Sequence, residues 1–178
     1  PNIIYAHIGG FKTNPNRVAF DIVLQAETGF INMTGNEKEF AKMPVALIDV
    51  LAAHQIKEGI LTAMLLQSKE KRAYKVSTTL EETAIASLMN QSSNFLMAQQ
   101  QAKPLGTLHP NIAPYDKFKT ATNEIFMGIG NDAGFARLCK ALNLDYLITD
   151  ERFLSNGDRV KNRLALTKYL EDALSDVD

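Results

Sequence analysis

A chain of 178 residues is long enough to bury a sizeable core, in one domain or two small ones. With 46% hydrophobic and 22% charged residues it has the make-up of a globular protein, which excludes disorder as its global state. Nineteen basic residues against twenty acidic ones leave a net charge of -1, so no overall field draws the chain to nucleic acid or to an anionic membrane surface.

The opening run Ile3, Ile4, Tyr5, Ala6 and Ile8 is short, rich in β-branched residues and followed by Gly9-Gly10, which predicts a buried strand over residues 2–8 ending in a tight turn. From Val18 the apolar positions Ala19, Ile22, Val23, Ala26 and Phe30 keep a helical period as far as Gly29, and Thr34-Gly35 then marks a turn. A second helix is predicted from about Leu51 to Gln67, with Ile56, Ile60, Ala63 and Met64 on one face and Asp49 just before it. Lys69 to Arg72 form a charged turn, and Ala73 to Ser77 read as a short strand. Thr78 with Glu81, or Thr79 with Glu82, offers a capping box for one long helix reaching about Gln100. Strand, helix, helix, strand, helix is the order of an α/β protein, most simply part of a parallel sheet covered by helices.

The Gln99-Gln100-Gln101 run, Lys103-Pro104 and Gly106 interrupt this pattern, and His109-Pro110 and Ala113-Pro114 keep the backbone extended. This segment is read as a linker between two units, residues 1–103 and residues 104–178. The second unit is predicted to be small and α+β, with a hairpin formed by Tyr115 to Lys119 and Glu124 to Ile129. Helices follow over Asp132 to Leu142 and from about Gly157 to Leu174.

Few motifs carry chemistry on their own. His7, His54 and His109 are far apart, and none has a second ligand at metal-binding spacing, so structural roles and no metal site are expected. Cys139, the single cysteine, allows neither an internal disulfide nor a cysteine-rich zinc site and suits a reducing compartment, read here as cytoplasmic. No apolar run approaches the roughly 20 residues of a membrane helix. The start, Pro1-Asn2-Ile3-Ile4-Tyr5, lacks the layout of a signal peptide and reads as the interior of something longer. Gly128-Ile129-Gly130 reads as a turn. Arg152, Arg159 and Arg163 could bind phosphate, but ion pairs with Asp150, Glu151 and Asp158 are the expected role. Asp49 follows the apolar Val45-Ala46-Leu47-Ile48 and stands at the entry of a helix. There a carboxylate can be an ordinary N-cap or, beside a ligand and away from bulk water, a nucleophile. The pattern alone leaves both open.

Several segments together resemble the family III CoA-transferases, the CaiB/BaiF family, which includes α-methylacyl-CoA racemase. They are His109 to Tyr115, Gly130-Asn131-Asp132 with Phe135 and Leu138-Cys139, and Asp150 to Phe153 with Asn156, Arg159-Val160 and Asn162-Arg163. Upstream, Gly9-Gly10-Phe11, Phe20 to Ala26, Gly29, Thr34-Gly35 and the segment from Asp49 to Leu65 continue the likeness over almost the whole chain. The resemblance implies part of a Rossmann-like large domain followed by part of a small α+β domain, in an interlocked homodimer. It implies CoA transfer between an acyl-CoA thioester and a carboxylic acid, with no tightly bound cofactor. Asp49 falls at the family's nucleophilic aspartate, which attacks the thioester to give a mixed anhydride and then an aspartyl-CoA thioester. The family's racemases place a histidine immediately before the aspartate corresponding to Asp21. Phe20 stands there and cannot transfer a proton, so transfer is favoured over racemisation. A glycine-rich small-domain loop is not evident near Leu105 to Asn111, which points away from formyl or oxalate chemistry. A noncatalytic fragment that keeps the fold is the reading from another class.

Overall fold

The computed structural model describes residues 2–36 and 38–177. It divides into two compact units, Pro1–Pro104 and Leu105–Asp178. The first is α/β. Its strands β1 (Ile4–Gly9) and β4 (Tyr74–Thr79) run parallel, with Ile4 opposite Tyr74 and Gly9 opposite Thr79. Between them lie the helices α1 (Asp21–Glu27), α2 (Phe30–Met33) and α3 (Leu47–Glu70), and a short antiparallel pair, β2 (Gly35–Asn36) with β3 (Glu39–Phe40). After β4 come α4 (Leu80–Ala86) and α5 (Asn90–Ala98).

The 24-residue α3 packs against both strands of the parallel pair and against α1 and α4. Its approach to β4 depends on Gly59, where a Cβ would collide with Val76 Cγ1. Gln55 of α3 accepts hydrogen bonds from Thr78 of β4 (3.1 Å) and Thr83 of α4 (2.6 Å), so a partly buried polar contact joins the three elements. Phe11, Leu24, Phe30, Ile48 and Ala84 form the apolar core.

Two helices differ from the sequence reading in this unit. The α3 helix begins at Leu47 rather than Leu51, for a reason that lies in α1 and is given below. The single long helix expected up to Gln100 is two helices. Thr79 does cap the first, accepting the Glu82 N–H and donating to Glu82 Oε2, both at 3.0 Å. The Ser87 N–H is then shared between the carbonyls of Thr83 and Ala84, Ser87 Oγ donates to Thr83 O at 2.8 Å, and Met89 turns to φ +51° before α5 starts. Side-chain bonding back to the backbone thus competes with continuation of the helix.

The second unit pairs β5 (Tyr115–Lys119) with β6 (Glu124–Gly128) antiparallel, Tyr115 opposite Gly128. Then follow α6 (Asp132–Ala141), one 3₁₀ turn (Asp145–Ile148), α7 (Asn156–Lys161) and α8 (Arg163–Leu174). The last two were expected as one helix. They part at Asn162, whose amide donates to the carbonyls of Arg152 (3.1 Å) and Asp158 (3.0 Å). The core of this unit is built on Phe118, Phe135, Cys139, Phe153, Leu166 and Leu170. Among the described residues no helix is long and apolar enough to cross a membrane.

Candidate active site

The first turn of α3 is the most organised polar site in the α/β unit. Ala46, at the N-cap position, has no side chain with which to satisfy the free N–H groups of the turn. The cap comes from α1. Asp21, in the first turn of α1, accepts the N–H groups of Ile48 (2.7 Å) and Asp49 (3.4 Å) on its Oδ1. Its Oδ2 accepts a hydrogen bond from Gln25 Nε2 at 2.5 Å, one helical turn further along α1. Gln25 is completely buried; its Oε1 accepts the Met43 N–H at 2.8 Å, and its Nε2 also reaches Val45 O at 3.5 Å. One side-chain pair therefore holds both the segment leading into α3 and the start of the helix.

Asp49 lies inside the first turn, one residue beyond the fully buried Ile48. Its own side chain is exposed, and among the described residues its carboxylate takes no hydrogen bond or ion pair. Of the two readings the sequence left open for Asp49, the N-cap does not hold, because Ala46 occupies that position and Asp21 accepts the N–H groups. Loss of water around the carboxylate, and then the negative charge of Asp21, push the Asp49 pKa above its ordinary value. An unpaired carboxylate on a rigid helical turn, with raised basicity, is chemically suited to attack an electrophilic carbon. Sequence reasoning met Asp21 only as the residue after Phe20 in the comparison with racemases, and gave neither it nor Gln25 this capping role. The available signal was Asp21 and Gln25 at i and i+4, on the same side of a helix whose intervening residues Ile22, Val23 and Leu24 are apolar, a pattern that calls for a polar partner.

The remaining candidates take structural places. His54 Nδ1 lies 3.0 Å from Lys57 Nζ on α3, and His7 stands exposed on β1. His109 accepts the Asn111 N–H on Nδ1 (3.1 Å) and packs on Tyr115. No group of three potential metal ligands exists among the described residues. Arg152 pairs with Asp150 at 2.6 Å, as expected. Arg159 instead pairs with Asp132 at 2.6 Å, and Arg163 donates to the carbonyls of Val160, His109 and Pro110. Both correct the expectation of pairing with Asp150, Glu151 or Asp158. A cavity of about 570 Å³ opens at the C-terminal ends of β1 and β4, bordered by Gly9, Gly10, Lys12, Thr79 and Glu82. This end of a parallel sheet is where α/β proteins place ligands.

A parallel strand pair packed against helices, in a chain whose second unit contains an antiparallel hairpin, defines a mixed α/β protein, with an unpaired carboxylate in the first turn of its longest helix. The chain belongs to CoA-transferase family III, whose model matches residues 1–178. It is 34% identical over 176 residues to the human succinyl-CoA:glutarate CoA-transferase, covering 97% of this chain and 40% of that protein. Among solved structures it is similar to a CaiB/BaiF family protein from Brucella suis, with a TM-score of 0.72 and 30% identity over all of this chain and 48% of that one. A hypothetical protein from Mycobacterium tuberculosis gives a TM-score of 0.82 at 26% identity, again over all of this chain and 49% of that one. The chain thus spans less than half the length of these relatives.

Proposed function

We propose that the whole protein containing this chain transfers CoA from an acyl-CoA thioester to a carboxylic acid, with Asp49 as the nucleophile. The observation that carries the reading is the unpaired Asp49 carboxylate on the capped first turn of α3. Membership of CoA-transferase family III supports the reaction class. An Asp49 oxygen attacks the thioester carbonyl carbon, the C–S bond breaks, and CoA thiolate departs to leave a mixed anhydride. The thiolate then attacks the side-chain carbonyl of Asp49, expelling the donor carboxylate and giving an aspartyl-CoA thioester. The acceptor carboxylate attacks the same carbon and again releases thiolate, which finally attacks the acceptor's carbonyl and frees Asp49. Group-transfer potential is conserved at each step, provided water is kept from the anhydride.

In this reading residues 1–103 belong to the large domain and residues 104–178 to the small domain. Division into compact units between Pro104 and Leu105 supports the assignment. The whole protein would be an interlocked homodimer, and its buried, unpaired Cys139 suits the cytoplasm. Succinyl-CoA with glutarate is the first substrate pair to try, after the name of the human relative.

Asp49→Ala in the whole protein is expected to abolish exchange, measured by mass spectrometry of the acyl-CoA products, while costing about 0.5 kcal/mol or less in stability, since Asp49 makes no cap. Asp49→Asn keeps the size but loses the anion and should be as inactive. Hydroxylamine added during turnover should convert Asp49 to a hydroxamate. Full turnover by folded Asp49→Ala would return the site to a structural role.

A further inference from the structure

We propose that Asp21 is a positioning residue for this reaction: its carboxylate satisfies the N-terminal N–H groups of α3, and so fixes the turn that carries Asp49 while leaving the Asp49 side chain free to attack. The inference rests on the reading of Asp49 as the nucleophile. A helix start exposes N–H groups that no residue of the helix can satisfy through its own backbone. An aspartate in that first turn is the nearest acceptor, and one that takes such bonds has its charge stabilised and its basicity lowered. Asp49 would be bound in this way if nothing else filled the position. Asp21 fills it from another helix, at 2.7 Å from the Ile48 nitrogen and 3.4 Å from that of Asp49.

Asp21 is itself held on its other oxygen by Gln25, whose side chain is completely buried and anchored on the Met43 N–H. The buried amide is cut off from water, so the bond it gives Asp21 Oδ2 has no competing partner in solvent and holds the carboxylate with its other oxygen toward α3. Buried Ile48 fixes the same turn from the apolar side. The arrangement separates two duties that a single aspartate could not perform together, capping and attack. It also sets the Asp21 charge beside Asp49, which adds to the larger effect of lost water in making the nucleophile more basic.

The test compares Asp21→Ala, Asp21→Asn and Asp49→Ala in the whole protein, reading kcat, KM for acyl-CoA, the rate of hydroxamate trapping at Asp49 and Tm. Asp21→Ala is expected to lower kcat and the trapping rate about tenfold or more through misplacement of Asp49, with KM changed only a few-fold. Asp21→Asn keeps an oxygen able to accept the two N–H groups, although its amide N–H then faces Gln25 Nε2 in place of the accepting Oδ2, so it should recover part of the lost rate and stay below wild type. Wild-type kcat and trapping in Asp21→Ala would overturn the positioning role, as would an Asp21→Asn no faster than Asp21→Ala. If Asp21→Ala does not fold, Asp21→Asn decides the matter against the other two proteins. A rate between those of wild type and Asp49→Ala supports positioning, while a loss as complete as that of Asp49→Ala marks Asp21 as a reacting group and overturns it. Should Asp49→Ala itself turn over, the nucleophile reading has failed, whatever Asp21 does.

Discussion

Arg159 has no exposed side-chain surface, and each of its three guanidinium nitrogens donates a hydrogen bond. Nε donates to Ala113 O at 2.9 Å, Nη1 to Phe153 O at 3.0 Å and Nη2 to Asp132 Oδ1 at 2.6 Å, and the plane lies 4.5 Å from the centre of the Phe135 ring. Two of the three acceptors are neutral carbonyls, so removal of the arginine strands buried polar groups and opens a cavity. Arg159→Ala should cost about 3–5 kcal/mol in urea unfolding. Asp132→Ala should cost less, about 1.5–3 kcal/mol, because that side chain is 68% exposed and the two carbonyl bonds survive its loss. A larger loss from Asp132→Ala would refute this account. Sequence reading placed the partner of Arg159 among nearby acids, while the true partner is 27 residues earlier. The contact of Asp21 with Ile48 spans the same interval. Both contacts were hidden for one reason: periodicity and spacing report neighbours along the chain, not side chains that folding brings together.

At the level of elements, the most constrained contact is that of α3 with β4. Alanine in place of glycine within a solvated helix gains roughly 0.5–1 kcal/mol. At Gly59 the added methyl would strike Val76 Cγ1, and overpacking of this kind costs about 1–3 kcal/mol. Gly59→Ala is therefore expected to lower Tm, and Val76→Ala in the same chain to reverse the sign of the change. A rise in Tm from Gly59→Ala alone would show that the strand yields. The elements themselves were largely legible. The strands over β1 and β4, the hairpin and α6 follow from β-branched runs, turn residues and helical period, while the short α2, β2 and β3 left no such pattern. Boundaries were less so. Ala46 gives no local signal that α3 starts at Leu47, since its cap comes from Asp21, and neither Met89 nor Asn162 is a proline or glycine that would announce a break.

Across the molecule, the α/β unit leaves much apolar surface open. Ile3, Tyr5 and Ile8 on or beside β1 are exposed, as are Leu61, Met64 and Leu65 of α3, and parallel sheets are ordinarily covered on both faces. An interlocked homodimer of the longer protein is expected to cover part of this surface, and sedimentation velocity should give twice the protomer mass without dissociation at micromolar concentration. A monomeric whole protein would remove that expectation. The composition indicated a globular rather than a disordered chain, but it carries no information on which faces a longer chain covers. The parallel register has one further consequence, in time rather than in space. Ile4 pairs with Tyr74, and the whole of α1, α2 and α3 is threaded between them, whereas Lys119 and Glu124 pair across a tight turn. On a ribosome adding roughly 5–20 residues per second, β1 emerges several seconds before its partner exists. For that interval the edge of β1 that β4 will occupy waits without its partner, exposed to whatever other unpaired strand it meets.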